Sequence, residues 1–232
     1  ALSKTEGTYA ASTTISTTQW AACENDMLLT DDYYVDTLPT DWQDGELYIP
    51  DYAIGRLIEQ PSEIIGFIDG FLADSTIEMD SVLVTGYDFV QDAAGSMSTL
   101  FGYDGVTVDD SLVGTMWPGA TFRTKQLSAE PPFPVQAING HASHVAQGAP
   151  DDDPVTAGAV STAATDLAGA LIFSVGCHAG LNDTGSLDLA QAFAQKGANY
   201  VANTGYGWGG SAVVYTEALM KNYTRELLRG TS

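Results

Sequence analysis

Basic residues are scarce in this chain. Lys and Arg number 8 against 30 Asp and Glu, for a formal net charge of −22. Without a basic patch to neutralise phosphates, nucleic acid is not expected as a partner. The acidic excess instead favours solubility and basic partners, and it fits a saline or an extracellular setting equally well. Long apolar runs are also lacking: none approaches the roughly 20 residues of a membrane-spanning helix, so no span is expected. The 232 residues contain only 2 cysteines, Cys23 and Cys177, too few for a disulfide framework. The two can pair, but Cys177 sits at a glycine-rich strand end, where an unpaired thiol is the more interesting case. Histidine is almost as rare, with 3 in the chain: His141, His144 and His178. The sequence opens at Ala1 with neither an initiator Met nor a signal-like stretch, and so reads as a processed or excised piece of something longer. Asn182 and Asn222 begin N-x-T sequons, which matter only where the source glycosylates.

Hydrophobic residues make up 44% of the chain, which is the composition of a globular protein, and one large domain is the default. Residues 1–30 are rich in Ser, Thr and Ala and read as a lead-in. Residues 31–56 are acidic, aromatic and turn-rich, with a short strand expected at 52–56. "PSEIIGFIDGFLAD" (61–74) predicts a helix, with Pro61 at its start, Glu63 in its first turn and a broad apolar face. "SVLVTGYDF" (81–89) predicts a buried strand and "DAAGSMSTLFG" (92–102) the helix after it. Residues 103–133 read as irregular. "FPVQAINGHASH" (133–144) contains a strand ending at Gly140, and 145–160 a loop carrying Asp151, Asp152 and Asp153. "ALIFSVGC" (170–177) is the most apolar strand. A capped helix (186–197), a strand (198–205), a "YGWGG" loop and a long amphipathic helix (211–229) complete the chain.

Nearly all-apolar strands alternating with helices indicate an α/β domain with a mostly parallel sheet covered on both faces, a three-layer sandwich. Chemistry in such sheets gathers beyond the carboxyl ends of the strands. Asp88, His141 and Cys177 fall at that edge. If their strands are neighbours, the His141 imidazole can take the Cys177 thiol proton and later protonate a leaving amine. Gly140 and Gly176 let main-chain N–H groups turn toward the pocket, so the amides of Ala142 and Cys177 are candidates for an oxyanion hole. Two other readings stay open. Cys177 can be a small core residue, or His141, His144, Cys177 and His178 can form a zinc set, although adjacent Cys-His ligands are awkward.

"VQAINGHAS" and "ALIFSVGCHAG", in this order, resemble the His and Cys blocks of gingipain-type cysteine peptidases. These belong to the caspase-like group that includes caspases, legumains and clostripain. The family's usual His-Gly is His141-Ala142 here, and its Ala-Cys is Gly176-Cys177. Upstream, "TDDYYVDTLPTDW" with "PDYAIGRL" (within 30–57), "PSEIIGFIDGF" and "VLVTGYDF" are similar to the family's successive segments. Downstream, "ANYVANTGYGWGG" is similar to the strand and loop that help build the specificity pocket. The similarity runs from about residue 30 to the end. It divides the chain into a lead-in at 1–30 and a caspase-like domain at 31–232 that is part of a longer chain, in which other segments of a precursor are partners.

The resemblance implies a secreted or cell-surface endopeptidase that cleaves peptide or protein substrates through a thioester, with no required cofactor. Cys177 is then the nucleophile and His141 the base and acid, with Asp88 the candidate orienting carboxylate. Trp208 and His178 are candidate pocket residues. Relatives often select Arg or Lys before the cut and carry structural calcium, for which Asp151–Asp153 are a weak candidate because dedicated sites space their ligands. His178 is set aside as the base because neighbours on a strand point to opposite faces. The competing reading is a non-catalytic scaffold or binding module of the same fold.

Overall fold

The computed structural model describes residues 4–6, 28–42, 45–58, 60–182, 186–210 and 212–230. The chain forms two compact units, Ala1–Leu57 and Ile58–Ser232. Cys23 lies outside the described residues.

In the first unit, Lys4–Glu6 pairs antiparallel with Leu28–Thr30, and Thr40–Trp42 with Gly45–Leu47. Asp31 holds Arg56 through two short bonds, Nε to Oδ2 at 2.5 Å and Nη2 to Oδ1 at 2.6 Å. Residues 52–56 are not the expected strand but bends and irregular chain. The segment gains no ladder partner, and its one long cation is committed to Asp31.

The second unit carries a five-stranded sheet. Its strands are β1 (Ser81–Gly86), β2 (Thr107–Val113), β3 (Val135–Asn139), β4 (Leu171–Ser174) and β5 (Asn199–Ala202). All are parallel, in the spatial order β2-β1-β3-β4-β5. This is one of the common doubly wound orders, and it reverses direction between β1 and β3. Helices are α1 (Pro61–Ala73), α2 (Gln91–Tyr103), α3 (Gly119–Ser128), α4 (Ala157–Thr162), α5 (Leu189–Gln195) and α6 (Tyr215–Leu228).

Strand alternation divides the core in two. Val82, Val84, Val135, Ala137, Leu171 and Phe173 point to one face, where Met97 and Phe101 of α2 and Met220 of α6 cover them. Leu83, Ile138 and Ile172 point to the other, covered by Phe122 of α3, Val160 of α4 and Leu189 and Phe193 of α5. The result is the expected three-layer α/β arrangement. Phe101, Phe122, Phe173 and Phe193 are almost fully buried, each ring stabilising by about 1.5–3 kcal/mol. Helix starts are fixed locally: Asp188 accepts the Gln191 N–H at 2.7 Å, and Thr156 Oγ1 accepts the Ala159 N–H at 3.2 Å.

Two elements interrupt the stretch expected to be irregular. β2 is an edge strand whose Asp109, Asp110 and Ser111 give no apolar run, and α3 starts after Pro118 with Arg123 and Lys125 on its surface. Lys125 pairs with Asp109, tying α3 to β2. The loop expected at 145–160 also contains a short antiparallel pairing and the start of α4. Helix α1 forms where expected, but no residue of it is buried, and Ile65, Phe71 and Leu72 are exposed. No helix among the described residues is long and apolar enough to cross a membrane.

Candidate active site

Three strands deliver the site. β1 ends at Gly86 and leads to Asp88, β3 ends at Asn139 and leads to His141, and β4 ends at Ser174 and leads to Cys177. β1 pairs with β3, and β3 with β4, so these exits are adjacent at the carboxyl edge. They flank the point where the strand order reverses, the usual place for a cleft in such a sheet.

His141 Nε2 lies 3.1 Å from Asp88 Oδ2. A carboxylate only accepts, so Nε2 carries the hydrogen, and the neutral ring keeps its lone pair on Nδ1. Both side chains are more than half exposed, 54% for His141 and 62% for Asp88, so the pair orients the ring and adds little stability. Asp88 is held at a positive φ of 56°. The ring of His141 is flanked by Tyr87 and Phe89, with centroids at 5.7 and 5.3 Å. Burial pushes the Tyr87 phenol up, against an opposing hydrogen bond with the His141 backbone.

The His and Cys loops touch through their small residues. A side chain at Gly176 would lie 2.4 Å from the Ala142 Cβ and 3.1 Å from the Gly140 carbonyl oxygen. A side chain at Gly140 would run into the Tyr87 ring. These contacts require the small residues that surround both candidate catalytic positions. After His141 the chain forms a hairpin in which Ala142 faces Gln147. The Gly148 N–H donates to the His141 carbonyl at 2.7 Å. That bond makes Ala142–Gln147 a non-hydrogen-bonded pair, so the Ala142 amide is not spent on the hairpin. Cys177 is half-buried and has a free thiol, 3.8 Å from the Gly207 carbonyl oxygen.

His178 is not on a strand. β4 has ended, and His178 has turned to a φ of 54°, so the alternation used to set it aside as the base does not apply. Its Nδ1 is instead 3.0 Å from the Thr204 carbonyl oxygen, and its ring packs against Tyr206 at 4.6 Å. Trp208 follows, its ring 5.9 Å from that of Tyr206, with its main-chain N–H donating to Thr216 Oγ1 at 3.2 Å.

Among the described residues, no group of three or more His, Cys, Asp and Glu side chains is placed to hold a metal ion. The zinc set is not assembled, because His141 is turned to Asp88 and His178 to Thr204. Two of the three consecutive aspartates are committed elsewhere. Asp151 accepts the Gly119 N–H at the start of α3 with both oxygens at 3.0 Å, which holds its carboxyl below the usual range. Asp153 pairs with Arg123 at 2.6 Å.

Sequence reasoning missed the groups that support the site: Tyr87, Phe89, Asn203, Gly207 and Glu217. Glu217 of α6 is fully buried beneath the loop after β5, and its Oε2 accepts the N–H groups of Gly210 and Val214, both at 3.2 Å. The glycines of "TGYGWGG" were the available signal. A side chain at Gly207 would lie 1.9 Å from the Val175 carbonyl oxygen, and one at Gly209 2.6 Å from the Phe89 ring.

No family model matches the chain. No curated protein matches it either. Among solved structures it is similar to a short-chain flavodoxin associated with a non-canonical PDU bacterial microcompartment. The identity is 13% and the TM-score 0.39, covering 66% of this chain and 100% of that one. A likeness this distant says nothing about function.

Proposed function

We propose that the chain is a cysteine endopeptidase of caspase-like, gingipain-type fold, acting in the secreted or cell-surface setting that the resemblance implies. One observation carries the reading: His141, bonded to Asp88, stands on the loop that packs directly against the residue preceding Cys177. In this mechanism His141 Nδ1 takes the proton of the Cys177 thiol, and the sulfur attacks the scissile carbonyl carbon. The amides of Ala142 and Cys177 receive the oxyanion. The C–N bond breaks as His141 returns the proton to the leaving amine, leaving a thioester. Water then attacks the thioester, His141 takes its proton, and the carboxylic product leaves as the thiol is restored. Asp88 holds the ring and balances its charge while it is protonated. The reaction needs no cofactor.

The acidic surface favours basic substrates, and cleavage after Arg or Lys is the first preference to test. A peptidyl electrophile carrying Arg or Lys should label the wild-type chain and not Cys177→Ala. Absence of Cys177-dependent labelling across a panel of such probes would overturn the peptidase reading in favour of a non-catalytic scaffold.

A further inference from the structure

We infer that His178 is a positioning residue that clamps the loop after β5 onto the nucleophile's own loop, and does not exchange protons with Cys177. Its kinetic consequences rest on the peptidase reading above.

The chain leaves β4 and turns at His178 into a left-handed conformation, φ 54°, that non-glycine residues adopt only at some cost. The turn lets one residue hold two successive carbonyls of the facing loop. The His178 N–H donates to the Gly205 oxygen at 2.7 Å, and ring Nδ1 meets the Thr204 oxygen at 3.0 Å. A carbonyl cannot donate, so Nδ1 carries the hydrogen and the ring orientation is fixed. The ring then packs against Tyr206, 4.6 Å between centroids.

On either side the same two loops are joined again. The Gly180 N–H donates to the Asn203 oxygen at 2.8 Å. Asn203 Nδ2 donates to the Val175 oxygen at 2.8 Å. Gly207 lies against the Val175 oxygen and offers its own carbonyl to the Cys177 thiol. Each residue from Asn203 to Gly207 is thus held by the segment 175–180, and His178 supplies the links to Thr204, Gly205 and Tyr206. Trp208, the candidate pocket wall, follows directly. An imidazole committed to a carbonyl and to an aromatic ring is a strut, so the position of the wall is set by the residue beside the nucleophile.

Three variants separate the contributions. His178→Asn keeps a donor at the Nδ1 position and tolerates the positive φ. His178→Phe keeps a ring and loses the donor, and His178→Gly removes both while accommodating the backbone should Phe fail to fold. Hydrogen exchange of the amides in 203–210 reads the clamp without any need for activity. Exchange should quicken about tenfold or more in the Phe and Gly variants and stay within about threefold of wild type in Asn, as expected for loss or retention of one ordered hydrogen bond. With a peptide substrate, KM should rise about tenfold in Phe and Gly while kcat falls less than about threefold, and Asn should restore KM. Unchanged exchange in both Phe and Gly overturns the clamp, as does loss of kcat in all three variants. If the wild-type chain shows no Cys177-dependent labelling, the peptidase reading fails while the exchange result still decides the clamp.

Discussion

Asp88 and His141 form an exposed pair, so their bond matters for direction more than for strength. A carboxylate at 3.1 Å from Nε2 selects the ring orientation and the tautomer that suit a proton acceptor at Nδ1. If the chain is the peptidase proposed above, Asp88→Ala should lower kcat/KM by about tenfold, whereas His141→Ala should cost about 10²–10⁴-fold, read in steady-state hydrolysis of one peptide. Equal losses would mean that Asp88 does more than orient. Gly176 makes a packing prediction at the same scale. An added Cβ meets the Ala142 side chain at 2.4 Å, so Gly176→Ala should destabilise by about 1–3 kcal/mol in denaturant unfolding. Adding Ala142→Gly should recover most of that loss, and no recovery would show that the Gly140 carbonyl is the real obstacle. The edge positions of Asp88, His141 and Cys177 were legible because each follows an apolar run broken by glycine. The clamp at His178 was not, because it is made largely with main-chain carbonyls that leave no pattern in side-chain chemistry.

Strands were legible in proportion to their burial. β1, β3 and β4 are buried on both faces and read as continuous apolar runs, whereas β2, at the edge and carrying consecutive acidic residues, does not. α1 shows the converse: its apolar pattern foretold a helix, but Ile65, Phe71 and Leu72 stay exposed. Leu72→Ser, at a residue 74% exposed, should change unfolding stability by less than about 0.5 kcal/mol, and a larger loss would reveal packing that this exposure does not allow. α6 gives a pH prediction. Burial pushes the Glu217 carboxyl up, with help from the charge of Asp92, while the N–H groups of Val214 and Gly210 oppose it. Its folded-state value thus lies above that of the unfolded chain. The associated stability is complete below the ordinary value of 4.5 and is lost as pH rises through the raised one. Glu217→Gln escapes that loss. In thermal unfolding, the Tm of wild type minus that of Glu217→Gln should fall as pH climbs and then level off. A difference independent of pH would mean that the Glu217 carboxyl titrates alike in the folded and unfolded chains.

The whole molecule carries −22 charges at neutral pH, and few of its 30 acidic groups can find one of the 8 cations. Such self-repulsion is relieved by screening, so Tm should rise steadily with added sodium chloride up to about 1 M, where the Debye length has contracted to about 3 Å. A flat response would show that local pairs, such as Lys125 with Asp109, dominate. The sheet order has a different consequence, one of timing. Asp88, His141 and Cys177 follow strands far apart in sequence, and they share one sheet edge only once β1, β3 and β4 have paired side by side. Non-local parallel pairing is the slow part of folding. On the proposed peptidase reading, Cys177 therefore gains its base late, and a nascent or partly folded chain holds an idle thiol. In refolding experiments, capture of Cys177 by an active-site probe should appear with the last kinetic phase, making chemical competence the clock for completion of the sheet.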